Sequence, residues 1–285
     1  MFPTFHNLTH TCVNNLLRFF ISLILRVGVY RLSIFAPIYR LYEWLLWKRI
    51  KIKDMPKHLA IILDGNRRFA RSRRLSVFIA HQAGAMRLED FLDWCCELGI
   101  EVVTIYAFSL ENFRRPPEEV EVLMRLFEEK FNNIITDKRI HGNRIKVRAI
   151  GRIHLLPDYV REAIKEAEKA TENYDNSQLN IAIGYSGRIE LIDAFKEVAR
   201  KVLGGILSLD EIDEALIDSH LSTAGLPEPD LIIRSSGEER MSGFLLWQSA
   251  YSELYFSDVF WPLFRKIDLL RAIRNFQDRE RRFGE

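Results

Sequence analysis

Six short apolar runs, at 58–63, 101–108, 144–150, 178–184, 230–234 and 253–258, alternate with stretches whose apolar residues recur at helical spacing. No other feature of the chain narrows its fold as far. An apolar run without polar alternation suits a strand covered on both faces, and strands separated by helices assemble as βαβ units around a parallel sheet. The stretch "PPEEVEVLMRLFEEKFNNIITDKRI" (116–140) opens on two prolines and an acidic first turn, as helices do. "LPDYVREAIKEAEKAT" (156–171) and "SGRIELIDAFKEVARKVLGG" (186–205) repeat the theme, and Gly204-Gly205 closes the second. We therefore expect an α/β fold, a single domain over residues 56–285 with a mainly parallel central sheet flanked by helices.

Residues 1–55 differ from the rest. The segment "LLRFFISLILRVGVYRLSIFAPIYRLYEWLLWKRI" (16–50) is dense in Leu, Ile, Phe, Tyr and Trp, but Arg18, Arg26, Arg31 and Arg40 interrupt it. It never reaches the run of about 18 uncharged residues that a membrane-spanning helix needs. It also lacks the charged start and small-residue cleavage site of a signal peptide. Asn14, Arg18, Ser22 and Arg26 recur every four positions, one narrow polar stripe on an otherwise apolar helix. We read this as an apolar amphipathic helical segment lying on a membrane surface, with Trp44, Trp47, Lys48 and Arg49 at headgroup level. The alternative is a helix that packs the same face on its own domain or on a partner chain.

Cys12, Cys95 and Cys96 are odd in number, with two adjacent, which suits neither a disulfide framework nor a CxxC pair. The expected location is cytoplasmic, peripherally associated with membrane. Basic residues number 41 against 39 acidic ones, for a net charge of +2. So even a balance argues against nucleic acid as a partner, and "RRFARSRR" (67–74) has little aromatic interleaving. Any anion site must be local.

Parallel sheets bind ligands beyond the carboxyl ends of their strands. Three polar sets follow strands here: Asp64-Gly65-Asn66-Arg67-Arg68, "FSLENFRR" (108–115) and "RSSGEERMS" (234–242). Gly65 lets backbone amides approach an anion, Asn66 and Arg68 add donors, and the next helix offers its positive end. The set matches neither GxxxxGK[ST] nor GxGxxG. Arg234, Arg240 and Ser242 form a second basic set suited to phosphate oxygens. Two anion sites imply two phosphorylated substrates, and Asp64 with Glu253 are the carboxylates best placed to hold a Mg2+ ion between them. Each residue has a plainer reading when taken alone: Asp64-Gly65 as a turn, Glu253 as a surface acid, His81 as a structural histidine. Residue chemistry by itself stops at Mg2+-dependent work on two phosphorylated ligands.

The segments "HLAIILDGNRRFA", "YAFSLENFRRP", "LNIAIGYSGR", "DLIIRSSGEERMSGFLLWQSAYSELYF" and "FWPLF", in this order over about residues 57–285, closely resemble the cis-prenyltransferases. These are the undecaprenyl and dehydrodolichyl diphosphate synthases, and the DGNRR form is more similar to archaeal and eukaryotic members than to bacterial ones. The resemblance implies repeated condensation of isopentenyl diphosphate onto an allylic diphosphate, farnesyl or geranylgeranyl. The product would be a long-chain polyprenyl diphosphate for a glycosyl carrier lipid.

The same resemblance assigns roles. Asp64 would aid Mg2+-assisted departure of the allylic diphosphate, which Gly65, Asn66, Arg67, Arg68 and His81 would cradle. Ser109, Arg115, Arg234, Arg240 and Ser242 would bind isopentenyl diphosphate, Glu253 would help hold its Mg2+, and Asn112 would accept or relay a proton. Phe69, Phe108 and Phe113 would line the substrate pocket, Phe113 standing where many relatives carry tryptophan. In the terminal "RERRFGE", Arg282 and Gly284 would complete the site of a neighbouring subunit, making the protein a homodimer. Three departures stand out: Val77 where bacterial relatives carry an arginine near the allylic diphosphate, Ser236-Gly237-Glu238-Glu239-Arg240 for the usual GGEHR, and the long apolar N-terminus. Arg71, Arg73 or Arg74 would compensate for the first. The alternative function is a non-catalytic or accessory subunit of a heteromeric cis-prenyltransferase, but such subunits tend to lose the first motif that this chain keeps.

Overall fold

All six apolar runs form strands of one sheet: β1 His58–Ile62, β2 Val102–Ser109, β3 Ile145–Ile150, β4 Ser177–Tyr185, β5 Leu231–Ser235 and β6 Glu253–Ser257. The computed structural model describes residues 36–50 and 53–279. Strand order is β3-β4-β2-β1-β5-β6, and every pairing is parallel. The chain leaves β1 toward β2 on one side and leaves β5 toward β6 on the other. The connections therefore diverge between β1 and β5, and this reversal opens a crevice at their carboxyl ends.

Nine helices are described: α1 Ala36–Ile50, α2 Asn66–Arg73, α3 Val77–Leu98, α4 Pro117–Ile134, α5 Lys138–Gly142, α6 Asp158–Thr171, α7 Gly187–Leu203, α8 Glu214–Asp218 and α9 Lys266–Asp278. The stretch expected as one helix over 116–140 is two. The break falls at Asp137, whose Oδ1 accepts from Arg139 N at 2.8 Å and starts α5 afresh.

Alternation along the strands feeds two cores. Leu59, Ile61, Val103, Ile105, Leu231 and Ile233 face the larger one, with Phe91, Trp261 and Phe264 from the helical layer. Ala60, Ile62, Tyr106 and Ile232 face the smaller one, capped by Phe244 and Leu245. A sheet buried on both faces needs apolar residues at successive positions, which is why its strands read as unbroken apolar runs. The amino edge is tied by a buried polar chain. His58 Nδ1 donates to Pro227 O at 2.7 Å, and its Nε2 accepts from Thr104 Oγ1 at 2.8 Å. Asn180 Nδ2 donates in turn to Thr104 at 3.1 Å, and Gln178 Nε2 to Asn180 Oδ1 at 2.7 Å.

Helix α1 lies against α9. Leu46 and Ile50 are 4% and 0% exposed and belong to the larger core, and Trp47 packs on it, so Trp47 does not face outward as a headgroup anchor. Gln277 Nε2 clamps the helix end by donating to Ile50 O at 2.9 Å. An expected boundary at residue 55 thus cuts through shared core. The other side of α1 exposes Ile38, Leu41, Trp44 and Leu45, with Lys48 Nζ 4.0 Å above the Trp44 ring. The stripe of Asn14, Arg18, Ser22 and Arg26 lies outside the described residues.

Candidate active site

The carboxyl end of β1 delivers Asp64 next to Arg234, which stands on β5 level with Ile62. Arg234 Nη2 donates to Asp64 Oδ2 at 2.8 Å, and Arg68 Nη2 approaches the same oxygen at 3.2 Å from the first turns of α2. The backbone N–H of Gly65 donates to Asp64 Oδ1 at 2.6 Å. Burial opposes ionisation of Asp64, but the Arg234 hydrogen bond and charge, the Gly65 amide and Arg68 outweigh it, holding the carboxyl below its ordinary range. The carboxylate stays charged.

Gly65 has φ +100°, and a Cβ there would meet Ser236 Cβ at 2.7 Å and the Phe260 ring at 2.9 Å. Only glycine fits both the backbone and the space. Ser236 and Gly237 also take positive φ, folding the second basic loop over the first. Ser235 Oγ locks the two together, accepting from Asp64 N at 2.9 Å and donating to Asp64 O at 2.8 Å. Within the second loop Arg234 Nη1 donates to Ser242 Oγ at 2.8 Å and to the Arg240 carbonyl. Glu238 joins the loops, taking Arg68 at 2.6 Å and also Arg240. Arg234 is 5% exposed, and its Nε is buried with no hydrogen-bond partner, as is Asn66 Oδ1. Orphaned groups of this kind at a cleft can be met by water or by a ligand.

A cleft of about 860 Å3 runs from these loops between α3 and α4. Its polar end contains Asp64, Gly65, Asn66, Arg67, Arg68, His81, Ser109, Asn112, Arg115, Arg234, Arg240 and Ser242, so most of the expected site residues meet in one place. Its other end is lined by Phe108, Leu123, Leu126, Phe127, Phe131 and Ile134. Ser109 and Asn112 brace each other at the end of β2. The Ser109 side chain accepts from the backbone of Asn112, and Ser109 N donates to Asn112 Oδ1 at 3.2 Å.

Three expectations do not hold in this geometry. Glu253 is absent from the cleft because it opens β6 instead of following it. The register sets Glu253 level with Leu231 and Leu59, and Asp64 lies five residues beyond Leu59, about 16 Å along the strand. Arg279 is its ion-pair partner, and at that separation Asp64 and Glu253 of one chain do not share one ion. Phe69 is 1% exposed and packs with Ala70, Ala80 and Ala83 between α2 and α3, away from the cleft. Phe113 stands behind the wall, edge-on to Phe108 at 4.9 Å. Among Arg71, Arg73 and Arg74, Arg71 alone lines the cleft, whereas Val77 starts α3 outside it. Arg282 and Gly284 lie outside the described residues.

Sequence reading missed Glu238, Glu119 and Arg188. Glu238 was visible as a carboxylate inside the second motif. Arg188 follows β4 at the start of α7, a strand-end position like the others. For Glu119 the one local signal is Arg115 a helical turn earlier. Among the described residues no three His, Cys, Asp or Glu side chains gather as a metal cage. A metal at this cleft would need ligand oxygens as well as protein ones.

The sequence profile of the undecaprenyl diphosphate synthase family matches residues 62–284. A tritrans,polycis-undecaprenyl-diphosphate synthase (geranylgeranyl-diphosphate specific) from Methanopyrus kandleri is 55% identical over 248 residues, 87% of this chain and 92% of its own. Its namesake from Pyrococcus horikoshii is 54% identical over 250 residues, 88% and 95% of the two chains. Among solved structures, lavandulyl diphosphate synthase from Lavandula x intermedia, in complex with dimethylallyl diphosphate, superposes with a TM-score of 0.78 at 38% identity, covering 81% of this chain and 99% of its own.

Proposed function

The chain belongs to the undecaprenyl diphosphate synthase family, and on that footing we propose that it extends geranylgeranyl diphosphate into a long-chain polyprenyl diphosphate used as a glycosyl carrier lipid. Membership makes it a prenyl-transferring enzyme acting on isopentenyl diphosphate and an allylic diphosphate. The starter is inferred from relatives more than half identical that are named for it. The single observation that carries the reading is the Asp64–Arg234 pair at the head of a cleft that turns apolar behind it.

In each cycle the allylic C–O bond breaks, and its electron pair leaves on diphosphate. The isopentenyl double bond attacks the allylic carbon, and the proton lost from the isopentenyl unit passes, with Asn112 as acceptor or relay, to the released diphosphate. Charge grows on the leaving diphosphate, so Arg67, Arg68 and the amino end of α2 stabilise it where it forms. Arg234, Arg240 and Ser242 hold isopentenyl diphosphate alongside, and Ser109 and Asn112, fixed by their mutual cap, face the isopentenyl unit. The growing chain enters the apolar end of the cleft, each buried CH2 contributing about 0.8 kcal/mol. Asp64, ionised and at the mouth, would be the residue that holds a Mg2+ ion. Mg2+ bound there supplies charge neutralisation for the departing diphosphate.

Two exposed apolar faces support further parts of the reading. Among the described residues no helix is long and apolar enough to cross a membrane. The exposed Ile38, Leu41 and Leu45 of α1, near Lys48 and Arg49, suit peripheral attachment to a membrane surface. Ile192 and Phe195, 44% and 54% exposed one turn apart on α7, offer an apolar face for a second copy, and a homodimer would let the Arg282–Gly284 tail serve the neighbouring site. The test is incubation of the purified protein with labelled isopentenyl diphosphate, Mg2+ and either farnesyl or geranylgeranyl diphosphate, followed by mass analysis. A long product made preferentially from geranylgeranyl diphosphate is expected, and absence of incorporation from either starter would sink the reading.

A further inference from the structure

The cations at the polar end of the cleft divide between carboxylates. Asp64 and Glu238 take Arg68, Arg234 and Arg240. Glu119, in the first turn of α4, takes a different group: Arg67 Nε at 3.5 Å, His81 Nε2 at 3.4 Å and Arg115 Nη1 at 3.1 Å. The Glu119 side chain is 8% exposed and does not line the cleft, but all three of its partners do. Those partners come from separate places: Arg67 from α2, His81 from α3, and Arg115 from the turn that precedes α4. One buried carboxylate thus ties together side chains that the chain path would leave independent.

We propose that Glu119 is a positioning residue for the allylic diphosphate, the internal anion that holds Arg67, Arg115 and His81 convergent on the cleft before substrate arrives; Arg115, expected among the isopentenyl diphosphate ligands, is thereby grouped with Arg67 and His81 on the allylic side. The proposal rests on the prenyl-transfer reading of this cleft. Without Glu119 the two guanidiniums repel each other and relax toward solvent, and the cost of ordering them falls on substrate binding. Glu119 also fixes the imidazole. An ionised carboxylate can only accept, so His81 Nε2 carries the proton and Nδ1 is left as an acceptor. Burial, with Arg115 and Arg67 nearby, keeps that ring neutral against the pull of Glu119.

Glu119→Gln preserves size but removes the charge and brings an NH2 that competes with the arginines. In the full-length protein, KM for geranylgeranyl diphosphate should rise about tenfold, equivalent to about 1.4 kcal/mol, while KM for isopentenyl diphosphate stays within about twofold. Nitrogen-15 NMR of histidine-labelled protein should show His81 losing its fixed Nε2–H tautomer. Glu119→Asp, which keeps the charge at shorter reach, should recover part of both effects, and it carries the test if Glu119→Gln does not fold. Equal rises in both KM values, or no change in either, would overturn the proposal. If the wild-type protein turns over no allylic diphosphate, the functional reading fails separately. The tautomer comparison then decides the positioning role, an unchanged His81 tautomer overturning it.

Discussion

Arg234 donates to Asp64 at 2.8 Å across the ends of two adjacent parallel strands, and it does so from a site where only 5% of the arginine is exposed. A buried guanidinium needs a nearby anion, and a catalytic carboxylate needs to stay ionised, and one bond meets both needs. The same bond makes the two basic loops one site.

Asp64→Asn keeps the shape and removes the charge. We expect kcat to fall by about 10²–10³-fold or more, the scale seen when one preorganised electrostatic group is lost at a reacting centre. Single-turnover formation of the first condensation product at saturating Mg2+, with circular dichroism to confirm folding, checks this. A folded variant retaining more than about a tenth of wild-type kcat removes Asp64 from the mechanism.

Arg240→Ala and Ser242→Ala act on the second loop, where Arg234 reaches both the Arg240 carbonyl and Ser242 Oγ. KM for isopentenyl diphosphate should rise by about tenfold or more, and KM for the allylic substrate much less. Initial rates with one substrate saturating at a time separate the two, and equal rises would mean that the loops are assigned to the wrong substrates.

The buried His58 has a pH consequence. Burial lowers its pKa from the ordinary 6.5, against weaker opposing effects of Pro227 O and Asp230. The native state therefore binds fewer protons than the unfolded chain once pH falls below about 6.5, and stability declines from there down toward the native pKa. Above that point the contribution is fully present. Urea unfolding at pH 7.5 and 5.5 should show lower stability at the acidic value, and His58→Gln should shrink the difference, with His81 contributing what remains. A pH-independent midpoint would contradict the assignment.

Helix α1 has two faces with separable effects. Ile50→Ala removes a fully buried side chain, and about 2–5 kcal/mol of stability should go with it. Leu41→Asp with Leu45→Asp, on the exposed face, should leave the melting temperature nearly unchanged but abolish co-sedimentation with vesicles containing anionic lipid. Undiminished vesicle binding by the double variant places the membrane contact elsewhere.

Subunit complementation tests the tail. Asp64→Ala chains and chains truncated after Arg281 should each be nearly inactive, while mixed dimers recover one working site. Mixtures as inactive as either parent would falsify sharing across the interface.

The strands were legible because burial on both faces writes itself as continuous apolar runs, and each strand end lies within two residues of its expected place. Strand-end loops were legible because glycine, serine and arginine cluster there for a chemical reason. Glu253 shows the limit of motif resemblance: it begins an apolar run, so the rule that ligands sit after strands already placed it at the wrong edge. Phe69 could not be assigned by sequence, since the rotation of α2 decides that it packs toward α3, whereas Phe108 meets the cleft from the end of β2. Glu119 was illegible for a different reason: Glu118, Glu119 and Glu121 look alike until the fold brings Arg67 and His81 to one of them.

The contact at Gly65 leaves no slack between the two loops, since even one added methyl group would collide with Ser236 and Phe260. Loops stacked this closely are mechanically ganged. A change that reshapes the first loop therefore shifts the second with it, and under the proposed function the fit of both diphosphates changes together. Anyone transplanting a foreign first loop into this scaffold to change the starter must bring its native companion as cargo, or accept that the partner substrate's fit is retuned in the same stroke.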